Sequence, residues 1–459
     1  MFISDLSKTI IAPSTPPGFG AISIIRLSGK NAFTIASKFL YPQKNFLNLK
    51  TKQTHLLRVM EKGNLIDQVI TVFYKAPKSY TGDNTVEIFC HGSPFIIRTI
   101  LALAIKNGAR EAAAGEFTMR AFVNGKMDLT QAEAINDLIH SESSSSHNSA
   151  IAHLRGEISI QIKKIKSEIL NILSEIEVRL DDSEEELLEI NFKEFLKKIK
   201  KIITSLQRLA ESFEKGRFIK DGFKTSIIGI PNSGKSSLLN ALLGYKRAIV
   251  TKISGTTTDT IEEKIDFSGI SFIFTDTAGI KTATKNPIEK EGILRAIDFI
   301  KTSDIIIWVM DYSKKPCAHE KEVAKQIKKH LDAKKTQLIK IFNKADLQHE
   351  RLPEKGILNI SCKTNSGIEK LKNLIVKRQE AIFSEQSSAI VTSMRHYQAL
   401  NSCLAEIKLF EKMIKNKKIH LEFAAEHLKS ALNELSDIIG ETNSEELLSN
   451  IFSKFCVGK

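Results

Sequence analysis

The chain has 459 residues, 42% hydrophobic and 26% charged, which excludes a low-complexity or fibrous polypeptide and exceeds what one ordinary core holds. Its net charge of +14 favours a polyanionic partner such as nucleic acid, although a lysine-rich proteome produces the same balance and Lys193–Lys201 reads equally as a solvated helix face. Five cysteines (Cys90, Cys317, Cys362, Cys403, Cys456), odd in number and never in C-x-x-C pairs, argue against a disulfide framework or zinc site; with no leader-like N-terminus and no long apolar run, a cytoplasmic chain without membrane contact is expected.

Three textures follow one another. Residues 1–122 mix short β-rich runs (Ala21–Leu27, Val69–Tyr74, Val86–Cys90) with turn punctuation and a helical pattern at Phe95–Lys106, which predicts a small α+β domain. Residues 123–219 are helical. Ile151, Leu154, Ile158, Ile162, Ile165, Ile169, Ile172 and Ile176 step by threes and fours along one helix face, and Phe192, Leu196, Ile199, Ile203, Leu206, Leu209 and Phe213 repeat the pattern. The serine-rich stretch Ser141–Ser149 reads as a linker or a loop between helices. Residues 220–378 alternate strands and helices: Thr225–Ile230, a helix from Lys235, Ile270–Thr275, Ile305–Met310, Gln337–Phe342 and Ile357–Ser361, the pattern of a mainly parallel sheet. The helical texture returns over 379–459. The expected fold is therefore multidomain, α+β and α/β, with a P-loop domain inserted into a helical one.

Gly229-Ile-Pro-Asn232-Ser233-Gly234-Lys235-Ser236-Ser237 fits G-x-x-x-x-G-K-[ST] between a predicted strand and a predicted helix. Glycines allow backbone N–H groups to close on a β-phosphate, Lys235 brings charge to the β/γ oxygens, and the Ser236 hydroxyl suits Mg²⁺. Asp276-Thr277-Ala278-Gly279 follows a strand, where an aspartate can hold a magnesium water and a glycine N–H can sense the γ-phosphate. Asn343-Lys344-Ala345-Asp346 follows another strand, and Asp346 can accept two hydrogen bonds from guanine that adenine cannot supply. Ser361-Cys362-Lys363 should complete the base pocket. Four such motifs in order predict a GTPase.

Catalysis then poses a problem. The position after Gly279, where Ras-type GTPases carry a water-orienting glutamine, is Ile280. Asn232 can ligate a cation beside the phosphates or serve as an Asx turn. Thr251-Lys252-Ile253-Ser254-Gly255-Thr256-Thr257 can wrap the nucleotide and offer carbonyl oxygens, so that a monovalent cation supplies the charge of an arginine finger. Glu289 is a candidate to position water, Glu291 is its competitor, and an exposed acid opening a helix is the plain alternative.

At these residues the chain resembles the tRNA modification GTPase MnmE (TrmE) family, and does so along its whole length. Thr9–Gly20, Arg26–Gly29, Ser79–Gly82, Glu87, His91-Gly92, Gly115–Phe117, Arg120–Phe122, Lys126, Leu129, Gln131–Ala134 and the closing Phe455-Cys456-Val457-Gly458-Lys459 are similar to family signatures. The resemblance implies an N-terminal dimerisation domain like folate-binding proteins, a helical domain and an inserted GTPase domain. It implies a homodimer and a K⁺-dependent GTPase. With an FAD- and NADH-dependent MnmG-type partner, in a heterotetramer or larger complex, such a GTPase builds a (carboxymethyl)aminomethyl group on C5 of the wobble uridine (U34) of certain tRNAs. The carbon comes from a tetrahydrofolate, in its 5-formyl or 5,10-methylene form. Arg26, Glu87 and Lys126 would contact the folate, with Lys459 nearby. Asn232, Thr251, Ile253 and Thr256 would surround K⁺, Ser236 and Thr257 would bind Mg²⁺, and Glu289 would orient water. One acid with arginine and lysine suits a pterin ring and its glutamate tail, while surface ion pairs are the alternative for the same residues. Cys456 is either a thiol able to reach the one-carbon unit or uridine, or an idle cysteine.

The chain departs from the family pattern at Thr258, where arginine is usual, at Ala112–Ala114, where an Arg-Pro pair is common, and at Phe19, which replaces a frequent arginine. A regulatory GTPase of ribosome or RNA assembly is the competing expectation; it shares the GTPase motifs but leaves Arg26, Glu87, Lys126 and the Cys456 tail unexplained.

Overall fold

The computed structural model describes residues 6–42, 46, 50–181, 192–244, 262–275, 298–332, 335–383, 389–415, 421–442 and 444–459. By internal contacts the chain forms two compact units, one of Met1–Ile139, Ile151–Gln207 and Gln398–Lys459, the other of His140–Ala150 and Arg208–Tyr397.

The first unit carries a seven-stranded sheet built from β1 (Ile10–Pro13), β2 (Gly20–Ser28), β3 (Leu40–Tyr41), β4 (Thr54–Glu61), β5 (Asn64–Tyr74), β6 (Thr85–Gly92) and β7 (Arg110–Glu111). The strand order is β3-β4-β5-β6-β2-β1-β7, antiparallel throughout except for the parallel pair β1–β7. Strand side chains alternate between faces, so Ile25, Leu27, Val69, Phe73, Val86 and Ile88 share one side. They form a single core there with Phe33 of α1 (Ala32–Ala36) and Ile100 and Ala104 of α2 (Pro94–Lys106). On the other face Leu56, Ile70, Phe89 and Ile24 lie in register across four strands, and Leu56 and Ile70 remain 64% and 48% exposed.

Helices α3 (Glu116–Val123), α4 (Leu129–Ile139), α5 (Ser144–Leu154), α6 (Glu157–Asp181) and α7 (Phe192–Asp221) follow. The apolar face expected to run from Ile151 to Ile176 is divided. Gly156, at φ +82, ends the first piece, and Ile158 through Ile176 belong to α6, where each lies buried. Nor is the serine-rich stretch a loop throughout. Ser143 and Ser146 exchange hydrogen bonds between backbone N–H and side-chain oxygen in the manner of a capping box, and α5 starts within the run.

In the second unit β8 (Phe223–Ile228), β9 (Glu262–Phe267), β10 (Ile270–Thr275), β11 (Ile305–Asp311), β12 (Gln337–Asn343) and β13 (Leu358–Asn359) form a sheet of order β13-β12-β11-β8-β10-β9. All neighbours are parallel except β9–β10. β11 is apolar on both faces because both are covered. Ile305, Ile307 and Val309 join a core with α8 (Lys235–Leu243) and α10 (Ile368–Phe383), while Ile306, Trp308 and Met310 join another with α9 (Ala318–His330). Entry and exit of this unit adjoin, as insertion requires: Val391 N–H donates to Ser212 Oγ at 3.0 Å, and the rings of Phe213 and Tyr397 stack at 4.5 Å. Helices α11 (Met394–Lys415), α12 (Leu421–Ile439) and α13 (Glu445–Phe452) complete the chain, with α12 packing on α6 and α4.

Candidate functional site

The chain reverses direction across the second sheet at β8, from which β10 lies on one side and β11 on the other, and such switch points open a crevice at the C-terminal strand ends. Gly229–Gly234 occupies that place. Gly234 is the N-cap of α8 with φ +97, and Asn232 adopts φ +62, so the loop turns sharply into the helix and aims its first N–H groups outward. A Cβ on Gly229 would strike the carbonyl oxygen of Val309, which leaves glycine the only residue that fits. Lys235 Nζ donates to the carbonyls of Gly229 and Ile230, each at 3.1 Å, so its charge is held over the loop. Ser236 and Ser237 are exposed at the helix start, while Ser233 is buried and its hydroxyl has no partner among the described residues.

Asn343 ties this loop to the base-recognition segments. Its Nδ2 donates to Ser233 O at 2.9 Å and its Oδ1 accepts from Cys362 N–H at 3.2 Å. Lys344, at φ +68, extends its ammonium to Asp311 at 2.7 Å. Asp346 stands exposed, and its Oδ1 accepts from Ser361 Oγ at 2.6 Å. That hydroxyl, with the backbone and the Lys363 and Lys344 charges, holds the Asp346 carboxyl below its ordinary range, so it is an acceptor at neutral pH. Burial pushes the Cys362 thiol up to about 11, which keeps it a neutral packing group. Ala345 N–H bonds Ile360 O at 3.0 Å and fixes one loop against the other.

Asp311 is a residue that sequence reasoning missed. It is 3% exposed at the end of β11, and Ser313 donates to it through both N–H and Oγ. Burial raises its carboxyl, but hydrogen bonds from Lys344 and Ser313 and the lysine charge win, so the net shift is downward. The signal was an acid directly after the all-apolar run 305–310. Thr251–Thr257, Asp276–Gly279, Ile280, Glu289 and Glu291 lie outside the described residues, as does Thr258.

A second constellation lies in the first unit. Register pairs Arg26 of β2 with Glu87 of β6, and the guanidinium donates to Glu87 Oε1 from Nε at 3.0 Å and Nη2 at 2.8 Å. The Tyr74 hydroxyl donates to the other oxygen at 3.3 Å. Arg26 lies 5.2 Å from the Tyr80 ring centroid and 5.6 Å from that of Phe117. Its Nη1 also donates to Gly458 O at 3.4 Å, an oxygen that accepts from Ser14 Oγ at 3.0 Å. The tail is thereby threaded beside β1 and β2. Gly458 takes φ +92, where a Cβ would meet the Pro13 carbonyl. Cys456 is exposed, its carbonyl accepting from Gly115 and Lys459 N–H groups at 3.3 Å each. Arg26, Glu87 and the segment of Lys459 are thus brought together. Lys126 instead donates to Pro77 O at 3.0 Å on an exposed turn. Of the departures, Phe19 is 92% exposed, and Ala112 is buried in the β1–β7 region.

Residues 9–126 match the family model described as GTP-binding protein TrmE N-terminus, and residues 129–456 the one described as MnmE helical domain. The tRNA modification GTPase MnmE of Christiangramia forsetii is 40% identical over 481 residues, covering 99% of this chain and 100% of that one. The Cytophaga hutchinsonii protein of the same description is 38% identical over 464 residues, covering 100% and 99%. That of Thermotoga maritima is 37% identical over 454 residues, covering 98% and 100%. These matches run through sheet, helices and nucleotide motifs alike. The chain belongs to the MnmE family of tRNA modification GTPases and is a GTP hydrolase that acts in tRNA modification.

Proposed function

We propose that the chain is a K⁺-dependent, Mg²⁺-using GTPase that acts with an FAD-dependent MnmG-type partner to install a (carboxymethyl)aminomethyl group on C5 of U34 in certain tRNAs, drawing the carbon from a tetrahydrofolate. The observation that carries this reading beyond GTP hydrolysis is the Arg26–Glu87 pair between two aromatic rings with Gly458 O beside it. That donor set fits a pterin. Glu87 has used three of its roughly four acceptor sites and presents the remainder, while Tyr80 and Tyr74 stay neutral phenols because burial raises both. Bound there, the folate would supply the one-carbon unit; the residues would hold and orient it, with Lys126 and Lys459 answering the glutamate tail.

The first helical turn of α8 fits a hard cation next to phosphates, since the exposed Ser236 hydroxyl and a backbone turned at Asn232 present oxygen donors. Mg²⁺ would take Ser236 and Thr257. K⁺ would take Asn232 with the carbonyls of Thr251, Ile253 and Thr256, and would add charge where Ile280 supplies none. Glu289, or Glu291 in the other register, would orient water. The in-register apolar row Leu56–Ile70–Phe89–Ile24 supports a homodimer formed on that sheet face. The domains would run 1–122, 123–219, 220–378 and 379–459, in the cytoplasm.

Nucleoside analysis of tRNA from a strain lacking the gene tests the reading: wobble uridine should lose its C5 substituent, and an unaltered nucleoside profile overturns it. The purified protein should retain a pterin and hydrolyse GTP much faster in K⁺ than in Na⁺. Equal rates in the two salts would remove the cation from the mechanism.

A further inference from the structure

Residues 314–335 hold eight lysines against three acids, in a chain whose net charge is +14. Eight minus three leaves +5 on α9 and its flanks, about a third of the net charge. Two of the three acids have partners within the unit. Glu320 is buried in a bidentate pair with Arg351, both contacts at 2.6 Å, and Glu322 accepts from Gln326 at 2.7 Å. Lys321, Lys325, Lys328 and Lys329 are all exposed, and none has an ion pair among the described residues. At about 100° per residue these four fall within an arc of roughly 100°, opposed to the side where Glu320 and Ile327 are buried. They span about 12 Å at ~1.5 Å per residue, and Lys314 and Lys315 continue the charge just before the helix.

None of the four lysines belongs to a nucleotide motif, and GTP binding does not explain the face. Four exposed ammonium groups along one helix face, with no ion pair among the described residues and no aromatic among them, suit a row of phosphates: they attract by counterion release and read no bases. We propose that the outer face of α9 is a contact for the phosphate backbone of RNA, through which the GTPase unit engages tRNA. The inference rests on the chain's part in tRNA modification and adds the surface that carries it.

The test uses the full chain and measures the affinity for total tRNA across a salt series. Changing the four residues to glutamine (K321Q/K325Q/K328Q/K329Q) should weaken binding about tenfold at moderate salt and lower the slope of log K against log salt by about 2–3. Replacement of the same four by arginine should preserve both, and intrinsic GTP hydrolysis should be unchanged in either variant. A control set on the first unit, K197Q/K200Q/K408Q/K412Q, should leave affinity near wild type. Unchanged tRNA affinity and slope in the α9 variant, with wild type binding, overturns the proposal alone. An equal loss in the control set does the same, since it marks diffuse charge. A variant that keeps tRNA but releases an acidic protein would assign the face to that partner and overturn it too. If wild type binds no tRNA, direct tRNA engagement itself fails.

Discussion

The two constellations are built in opposite ways. In the GTPase unit each contributing segment is a contiguous motif at a strand end, and the loops then lock to one another: Asn343 spans Ser233 and Cys362, and Ser361 holds Asp346. In the first unit single residues from distant places meet. Arg26, Glu87 and Gly458 come from two strands and the C-terminal tail, and only strand register and the threading of the tail join them. Phosphate recognition uses backbone N–H groups and so demands a particular local chain path, which leaves a spaced pattern of glycine, lysine and serine. The proposed pterin site uses side chains, which any elements can donate, and leaves almost no local trace.

That contrast can be broken by substitution. The largest effect should come from Lys235→Ala, which removes the charge held over the phosphate loop; GTP affinity should fall by a hundredfold or more and hydrolysis be lost, while pterin retention stays at wild type. Asp346→Asn should follow, with a loss of guanine preference read by competition between GTP and ATP; retained selectivity would take that residue out of the site. Glu87→Gln should weaken pterin retention by about tenfold, because Arg26 at 16% side-chain exposure is left without its anionic partner, with no change in GTP hydrolysis. A parallel fall in both activities would mean that the two sites are not separable in this way.

Asp311→Asn should act within the GTPase unit only, raising the dissociation constant for GTP about fivefold by releasing Lys344. The Asp311 carboxyl is depressed in the folded protein, so its contribution is complete above the ordinary carboxylate range and is lost as pH falls through the lower folded value. The wild-type advantage over the asparagine variant should therefore hold at pH 7 and shrink only in acid. The smallest effect belongs to Gly458→Ala. Positive φ alone costs about 1–2 kcal/mol for an alanine, and the added Cβ meets the Pro13 carbonyl. The tail should detach from β1, seen as a few-fold loss of pterin retention with GTPase activity intact.

Sequence alone determined the strand–helix alternation of residues 220–378, the phosphate and guanine motifs, and most buried positions of α6. Each of these depends on local periodicity or on a backbone path that few residues permit. Resemblance pointed to Arg26 and Glu87 as individuals, and their ion pair came only from register. Gly156 at φ +82 divided a periodicity that reads as one helix, because spacing by threes and fours carries no information about the dihedral between two turns. A capping exchange between Ser143 and Ser146 made a helix of an apparent linker. Asp311 gained its place from a lysine 33 residues away, and the charge on α9 became a surface only when Glu320 turned inward to Arg351. Tertiary structure decided these last points for one reason: a charged side chain takes its role from the partner that folding brings to it, and partners distant in sequence leave no periodic trace.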